Sequence, residues 1–207
     1  MGPDIIHYFD YKSPYAYLAQ AELFQLNETL GLNIEWYPYT LDIPSYLGSA
    51  ELDDEGHIIS ESRNAHQWRR VKYAYMDCRR EARDRGLILR GPRKIFDSSI
   101  AHIGFLYARR HGDFRRYHDT VYAQFWRHEL DIEDLAAIAA TLRASGIDSD
   151  NFSTFAALEG RRIHDDMRRE AEVRGVFGVP SYLVGDELFW GAERLQRACK
   201  AAELRRR

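Results

Sequence analysis

A chain of 207 residues with 45 % hydrophobic and 13 % aromatic side chains can bury a substantial core, which excludes a disordered protein. Its formal net charge of -3 comes from nearly balanced acids and bases, which argues against a dedicated nucleic-acid binder. No apolar run reaches the roughly 20 residues that span a bilayer, so no membrane segment is expected.

The chain opens on Met1-Gly2-Pro3-Asp4, without the charged and apolar regions of a signal peptide. The two cysteines, Cys78 and Cys199, lie far apart and neither belongs to a CxxC. A disulfide framework is excluded on this reading, and the expected location is cytoplasmic. Asp4-Ile-Ile-His-Tyr-Phe-Asp10 is β-branched and aromatic, as in a buried strand. Ser13-Pro14 then supplies an N-cap and a proline at the first helical position. Tyr15, Ala19, Leu23, Leu26 and Leu30 recur at helical spacing until Gly31 ends the helix, and Asn33 to Leu41 reads as a second strand. The polar stretch from Asp42 to Arg63, with Pro44, Gly48 and Gly56, lacks a sustained period and reads as a long loop.

From Asn64 to about Ile163 the pattern is almost entirely helical. Phe114, Tyr117, Val121 and Phe125 form one apolar stripe; Leu135, Ile138, Ala139 and Leu142 form another, with Asp131 and Asp134 as a capping signal and Gly146 as a stop. A further helix carries Ile163, Met167 and Ala171 and leads to Gly175. Val179-Pro180 precedes the strand Ser181 to Val184, Gly185-Asp186 turns it into Leu188-Phe189-Trp190, and a last helix follows Gly191. The closing Arg205-Arg206-Arg207 run reads as a solvated helix end. The order βαβ, helical block, ββα is that of an α/β, thioredoxin-like mixed sheet carrying an inserted all-helical subdomain. Residues 1–63 and 170–207 make the thioredoxin-like domain, and 64–169 the helical insertion.

Two positions carry the chemistry. Ser13 heads the first helix, where unpaired N–H groups and the helix dipole favour an anion. In thioredoxin-like chains this place holds the first sulfur of a CxxC, whereas here Ser13-Pro14-Tyr15-Ala16 offers none. Ser13 is therefore either a simple N-cap or a hydroxyl that steadies a thiolate brought by a ligand. Pro180 is either an ordinary trans proline at a strand start or a cis proline beside that helix head. The cis form would present the backbone of Val179 to an extended ligand. Among the histidines, His102, His111, His118, His128 and His164 lack metal-type spacing, so no metal site is expected. His164-Asp165-Asp166 reads as a solvated helix face, and Trp36-Tyr37-Pro38-Tyr39 as core in preference to the lining of an acceptor pocket.

Three segments carry a resemblance: the run Tyr8-Phe-Asp-Tyr-Lys-Ser-Pro-Tyr-Ala-Tyr-Leu18, the run Arg174-Gly-Val-Phe-Gly-Val-Pro180, and the run Glu187-Leu-Phe-Trp-Gly-Ala-Glu-Arg-Leu195. In this order, with Tyr73-(x)3-Asp77 between them, they resemble the 2-hydroxychromene-2-carboxylate isomerase and kappa-class glutathione transferase family, a DsbA-like branch of the thioredoxin superfamily. The resemblance implies bound glutathione, with its sulfur at Ser13 and its cysteinyl backbone at Val179 before Pro180. It implies Glu193, standing where the family has aspartate, for the γ-glutamyl end. Asn64 and Arg70 are the nearest counterparts of the family's Asn-x-Pro-Pro segment and following lysine. A homodimer is implied by the family alone. The expected function is thus a glutathione-dependent isomerase or transferase acting on a small electrophilic aromatic substrate. The alternatives are a thiol-disulfide oxidoreductase relative without its catalytic cysteines and a non-catalytic binding module that keeps the cleft.

Overall fold

The strand β1 (Ile5–Phe9) is buried along its whole length, in a computed structural model that describes residues 2–206. It lies beside β2 (Ile34–Pro38) in parallel, with His7 opposite Trp36. Antiparallel β5 (Ser181–Val184) flanks its other edge, with Tyr8 opposite Ser181, and β6 (Glu187–Trp190) closes the order β2-β1-β5-β6. The sheet is the mixed one expected, with strands from both chain ends and the α/β thioredoxin-like order.

Helix α1 (Pro14–Leu30) starts at Ser13, whose side chain accepts from the Ala16 N–H, and ends at Gly31 in the left-handed region at φ 59°. That backbone conformation is one a side chain with a Cβ adopts only at a cost. The intervening helices are α3 (Ala65–Asp84), α4 (Ser99–His111), α5 (Phe114–Trp126), α6 (Leu135–Ala144), α7 (Phe152–Ala157) and α8 (Glu159–Val173). Asp134 caps α6 through the N–H groups of Ala136 and Ala137. A 3-10 turn over Ala192–Arg194 leads into α9 (Leu195–Arg205).

The aromatic packing shows what joins the helical block to the sheet. Phe9 meets Phe105 of α4 at 4.9 Å and His118 of α5 at 4.7 Å between ring centroids. Trp36 is covered by Phe24 of α1 at 4.4 Å and Phe114 of α5 at 6.0 Å. Sheet and helices therefore share one core, in which each fully buried side chain such as Phe9 or Phe105 contributes about 1.5–3 kcal/mol.

Four expectations need correction. Residues 42–63 are not a plain loop: α2 (Ile43–Leu47) is followed by a hairpin of β3 (Ala50–Leu52) and β4 (Ile58–Glu61). These strands are too short and too exposed to show alternation, and Leu52 N–H holds the hairpin to the Arg93 carbonyl. The helical block is interrupted between α3 and α4, where Gly91-Pro92 breaks the pattern and the Arg90 N–H donates to the Trp126 carbonyl. The second strand stops at Pro38, so Tyr39 to Leu41 lie beyond it. Finally, Arg206 is not merely solvated: its guanidinium pairs with Asp4 at 2.6 Å and donates to the Gly31 carbonyl. Arg207 lies outside the described residues.

Candidate active site at the head of the first helix

Ser13 is held where the end of β1 turns into α1, its N–H donating to the Asp10 carbonyl at 3.0 Å. The Val179–Pro180 bond is cis. The Ser13 hydroxyl donates to the Val179 carbonyl and accepts from Ala16 N–H, both at 3.3 Å. The first distance is well beyond the usual 2.7–2.8 Å of an O–H···O bond, so the hydroxyl can be re-aimed at a better acceptor at low cost. Neither the Tyr15 N–H nor the Val179 N–H takes a backbone partner among the described residues. A hydroxyl and the Tyr15 N–H thus stand at a helix head beside the Val179 backbone, which suits an anion with an extended backbone attached.

The surroundings come from three elements. Phe177 and Trp190, both about half exposed, pack at 4.9 Å with their planes tilted by 56° beside Gly178, where a Cβ would come within 2.6 Å of the indole nitrogen. Gly178 is therefore the close approach that lets Trp190 lie against the cis-proline turn. The Gly191 N–H donates to the Pro180 carbonyl at 2.9 Å, and the Glu193 carboxylate folds against Gly191. Glu193 is 70 % exposed with only Arg194 near it at 3.9 Å, so it stands open beside the proline turn. On the other side the Tyr15 hydroxyl donates to Asp77 of α3 at 3.3 Å.

The remaining two candidates make no hydrogen bond to Ser13 among the described residues. Asn64 accepts from His66 N–H and Gln67 N–H as the N-cap of α3, so its amide oxygen is already engaged. It sits thirteen positions before Asp77, about 20 Å along the helix at about 1.5 Å per residue. Arg70 is exposed on the same helix. It faces Tyr46, whose phenol is pushed up to about 12 by partial burial and by Asp10, Tyr39 and Asp42, with Arg70 opposing. Both thiols are inert. Burial pushes Cys78 up to about 12 and Cys199 up to about 11, so neither offers a thiolate at neutral pH.

Directly behind Ser13 lies a buried ionic cluster that sequence reasoning missed. The Asp10 side chain is 0 % exposed and Lys12 Nζ lies 3.5 Å from its Oδ2. Ser98, at the head of α4, turns its hydroxyl away from capping and donates to Asp10 Oδ1 at 2.6 Å. Leu41 N–H donates to Oδ2 at 2.8 Å. Burial alone would raise the Asp10 pKa, yet Lys12, His102 and the Ser98 hydroxyl outweigh it and hold the carboxyl below the ordinary range. His164 is also a correction: it is not on a solvated face but buried, with Nε2 at 2.9 Å from Thr40 Oγ1. Its neighbours Asp165 and Asp166 do face solvent, which is what masked it. Trp36 and Tyr39 are core, as expected, whereas Tyr37 lines a cavity of about 370 Å³ with Arg109, Phe155 and Glu170. The one cluster of potential metal ligands among the described residues, Asp53, Glu55 and His57, lies in the exposed β3–β4 turn, away from this site. No helix is long and apolar enough to cross a membrane among the described residues.

Comparison with known proteins agrees with this fold. The family model of a DSBA-like thioredoxin domain matches residues 4–202. The 2-hydroxychromene-2-carboxylate isomerase of Sphingobium xenophagum is 30 % identical over 196 residues, covering 94 % of this chain and 95 % of its own. The enzyme of that name from Pseudomonas putida is 28 % identical, with 91 % and 88 % covered. A solved 2-hydroxychromene-2-carboxylate isomerase superposes with a TM-score of 0.71 at 25 % identity, covering 97 % of this chain and 94 % of that one.

Proposed function

We infer the activity from one premise: the chain belongs to the family of DSBA-like thioredoxin domains, in the branch of the 2-hydroxychromene-2-carboxylate isomerases. On that premise it is a glutathione-dependent isomerase acting on a small electrophilic aromatic substrate of the hydroxychromene carboxylate type. The observation that carries this reading is Ser13, a hydroxyl beside a cis proline in a helix head that holds no cysteine. The sulfur has to arrive with a ligand.

The residues present fit glutathione. Its thiol, once ionised, supplies a nucleophile for a conjugated double bond. Ser13 donates to the thiolate and lowers its pKa, helped by the Tyr15 N–H and the dipole of α1. Serine suits the role because it forms no mixed disulfide. The Val179 N–H and carbonyl align an extended backbone, and Glu193 accepts from an ammonium group at the far end. Phe177 and Trp190 offer aromatic faces beside the proline turn. Isomerisation and conjugation differ only in whether the thiol is returned, so the same machinery serves a transferase.

Calorimetry with millimolar glutathione, followed by optical assay of 2-hydroxychromene-2-carboxylate with and without it, tests the reading. Binding, and turnover only when glutathione is present, is the expected result. Absence of glutathione binding would instead favour a non-catalytic module that keeps the cleft.

A further inference from the structure

The ion pair behind Ser13 is joined to the surface by a continuous file of polar groups. His102 Nε2 lies 3.4 Å from Asp10 Oδ1, and its Nδ1 lies 2.8 Å from the hydroxyl of half-buried Thr40. The same hydroxyl lies 2.9 Å from His164 Nε2, and His164 Nδ1 lies 3.1 Å from Asp165 Oδ1. Asp165 is 47 % exposed, whereas His102 and Asp10 are at 0 %. We propose that Asp165, His164, Thr40, His102 and Asp10 form a relay that carries one proton between solvent and the Asp10–Lys12 pair behind the helix head.

The proton count in the file sets its polarity. The Thr40 hydroxyl has one proton, so it donates to one ring and must accept from the other. Suppose His164 carries its proton on Nδ1, towards Asp165. Thr40 then donates to His164, His102 donates to Thr40, and His102 Nε2 is left bare against the Asp10 carboxylate. Two acceptors would face each other in a dry interior, where nothing can turn away. The opposite polarity puts the bare nitrogen at His164 Nδ1, where the exposed Asp165 can swing into water. The resting file therefore has both rings protonated on Nε2, with the His102 Nε2 proton on the side of Asp10. The other groups acting on these rings are Lys12 beside Asp10, His118 from α5, Tyr11 against His102, and Arg161 on α8. Among the described residues His102 Nε2 makes no hydrogen bond of ordinary geometry, and Asp10 Oδ1 at 3.4 Å is the acceptor it faces.

This polarity is loaded for delivery inward. A proton collected from water by Asp165 passes to His164 Nδ1, and the His164 Nε2 proton passes to Thr40. The Thr40 proton passes to His102 Nδ1, and the His102 Nε2 proton passes to Asp10. Asp10 hands it to Lys12 Nζ once Lys12 has given its own proton to the substrate adduct formed at the helix head. One proton enters, one arrives, and no electrons move. An addition and elimination takes up a proton and gives it back, so the return journey resets the file. Only this use in turnover rests on the function proposed above; the relay itself is a property of the unliganded chain.

Long-range nitrogen–proton NMR of the histidine-labelled, unliganded protein at neutral pH reads the tautomers directly. Both rings are expected as Nε2–H in the wild type. In Thr40→Val, which keeps the shape but removes the bridge, His164 is expected to switch to Nδ1–H towards Asp165 while His102 stays. A wild-type His164 carrying Nδ1–H, or no switch in the variant, overturns the relay whether or not the chain is an isomerase. In the isomerase assay, Thr40→Val should lower kcat about tenfold to a hundredfold, within the usual range for lost proton transfer. KM should hold and Thr40→Ser should restore the rate. A variant with wild-type kcat and an unchanged solvent-isotope proton inventory also overturns it. A wild type that turns over no chromene sinks the function instead, and leaves the tautomers to decide.

Discussion

Ser13 was legible because everything that marks it is local. A serine followed by proline and a helical stripe announces a helix head, and the absence of sulfur in Ser13-Pro14-Tyr15-Ala16 needs no structure to see. Pro180 became legible only through its pairing with Ser13. His102 and His164 were not legible, since their partners Asp10 and Thr40 lie on other elements, and Lys12, only two positions from Asp10, gives no sign in the sequence that both are buried. The prediction at this scale concerns the thiolate. A hydrogen bond to a charged acceptor is worth about 1.5–3 kcal/mol, or about one to two pKa units. Ser13→Ala should therefore raise the pKa of bound glutathione by about that much, with turnover falling at neutral pH and partly recovering in alkali. If Ser13 is only the N-cap that its contact with Ala16 N–H shows, the change costs about 0.5–2 kcal/mol of stability and leaves the thiol alone. Titration of bound glutathione by thiolate absorbance separates the two outcomes, and superimposable curves for wild type and variant would remove Ser13 from the chemistry.

Elements with a long apolar stripe and a capping residue could be read from the chain, and α1 and α6 are cases where stripe, cap and stop all agree. Elements stabilised by their neighbours could not. The hairpin of β3 and β4 has only three and four residues per strand and an exposed β4, so it leaves almost no periodic trace. Close packing between helices was equally hidden. Gly104 lies in the middle of α4, where glycine ordinarily costs about 1 kcal/mol against alanine. A Cβ there would run into the Tyr117 hydroxyl and would stand 2.7 Å from Ile138 Cγ2. Tyr117 cannot easily give way, because it is fully buried and donates to the Ala101 carbonyl at 2.9 Å. Overpacking of this kind costs about 1–3 kcal/mol and outweighs the gain in helix propensity. Gly104→Ala should thus destabilise the protein in urea, the reverse of the usual effect of that substitution, and a variant as stable as the wild type would show that α4 and α5 can slide apart.

At the scale of the whole molecule, the sheet joins strands from both chain ends and the helices between them share its core, so the site exists only when the entire chain is folded. The ends give the helix head and the cis proline; the helical block gives His102, His164 and Ser98, which surround the ion pair behind them. The sequence order implied the first half of this arrangement but not the second, because a buried histidine and a solvated one look alike in a helical pattern. Burial of these rings couples folding to pH. Desolvation lowers His7 to about 3 and His164 to about 4, and holds His118 well below the ordinary value of 6.5. In the unfolded chain the same rings titrate near 6.5. Below that pH the unfolded state binds protons that the folded state refuses, so it gains free energy as pH falls. The stability these rings contribute is complete above about pH 6.5 and is lost between there and the folded values near 4 and 3. Each ring contributes a slope of about 1.4 kcal/mol per pH unit across that window, so the three together give about 4. Asp10, with its depressed pKa, adds a loss of the same sign only below about pH 4. Urea unfolding at pH 7.5, 6.0 and 5.0 should therefore show a plateau and then a steep fall that begins above the ordinary carboxylate range. His164→Gln should flatten that fall by about one ring's share. A stability that stays level down to pH 5 would mean that the rings reach solvent in the native state, and the dry interior from which the relay takes its polarity would go with it.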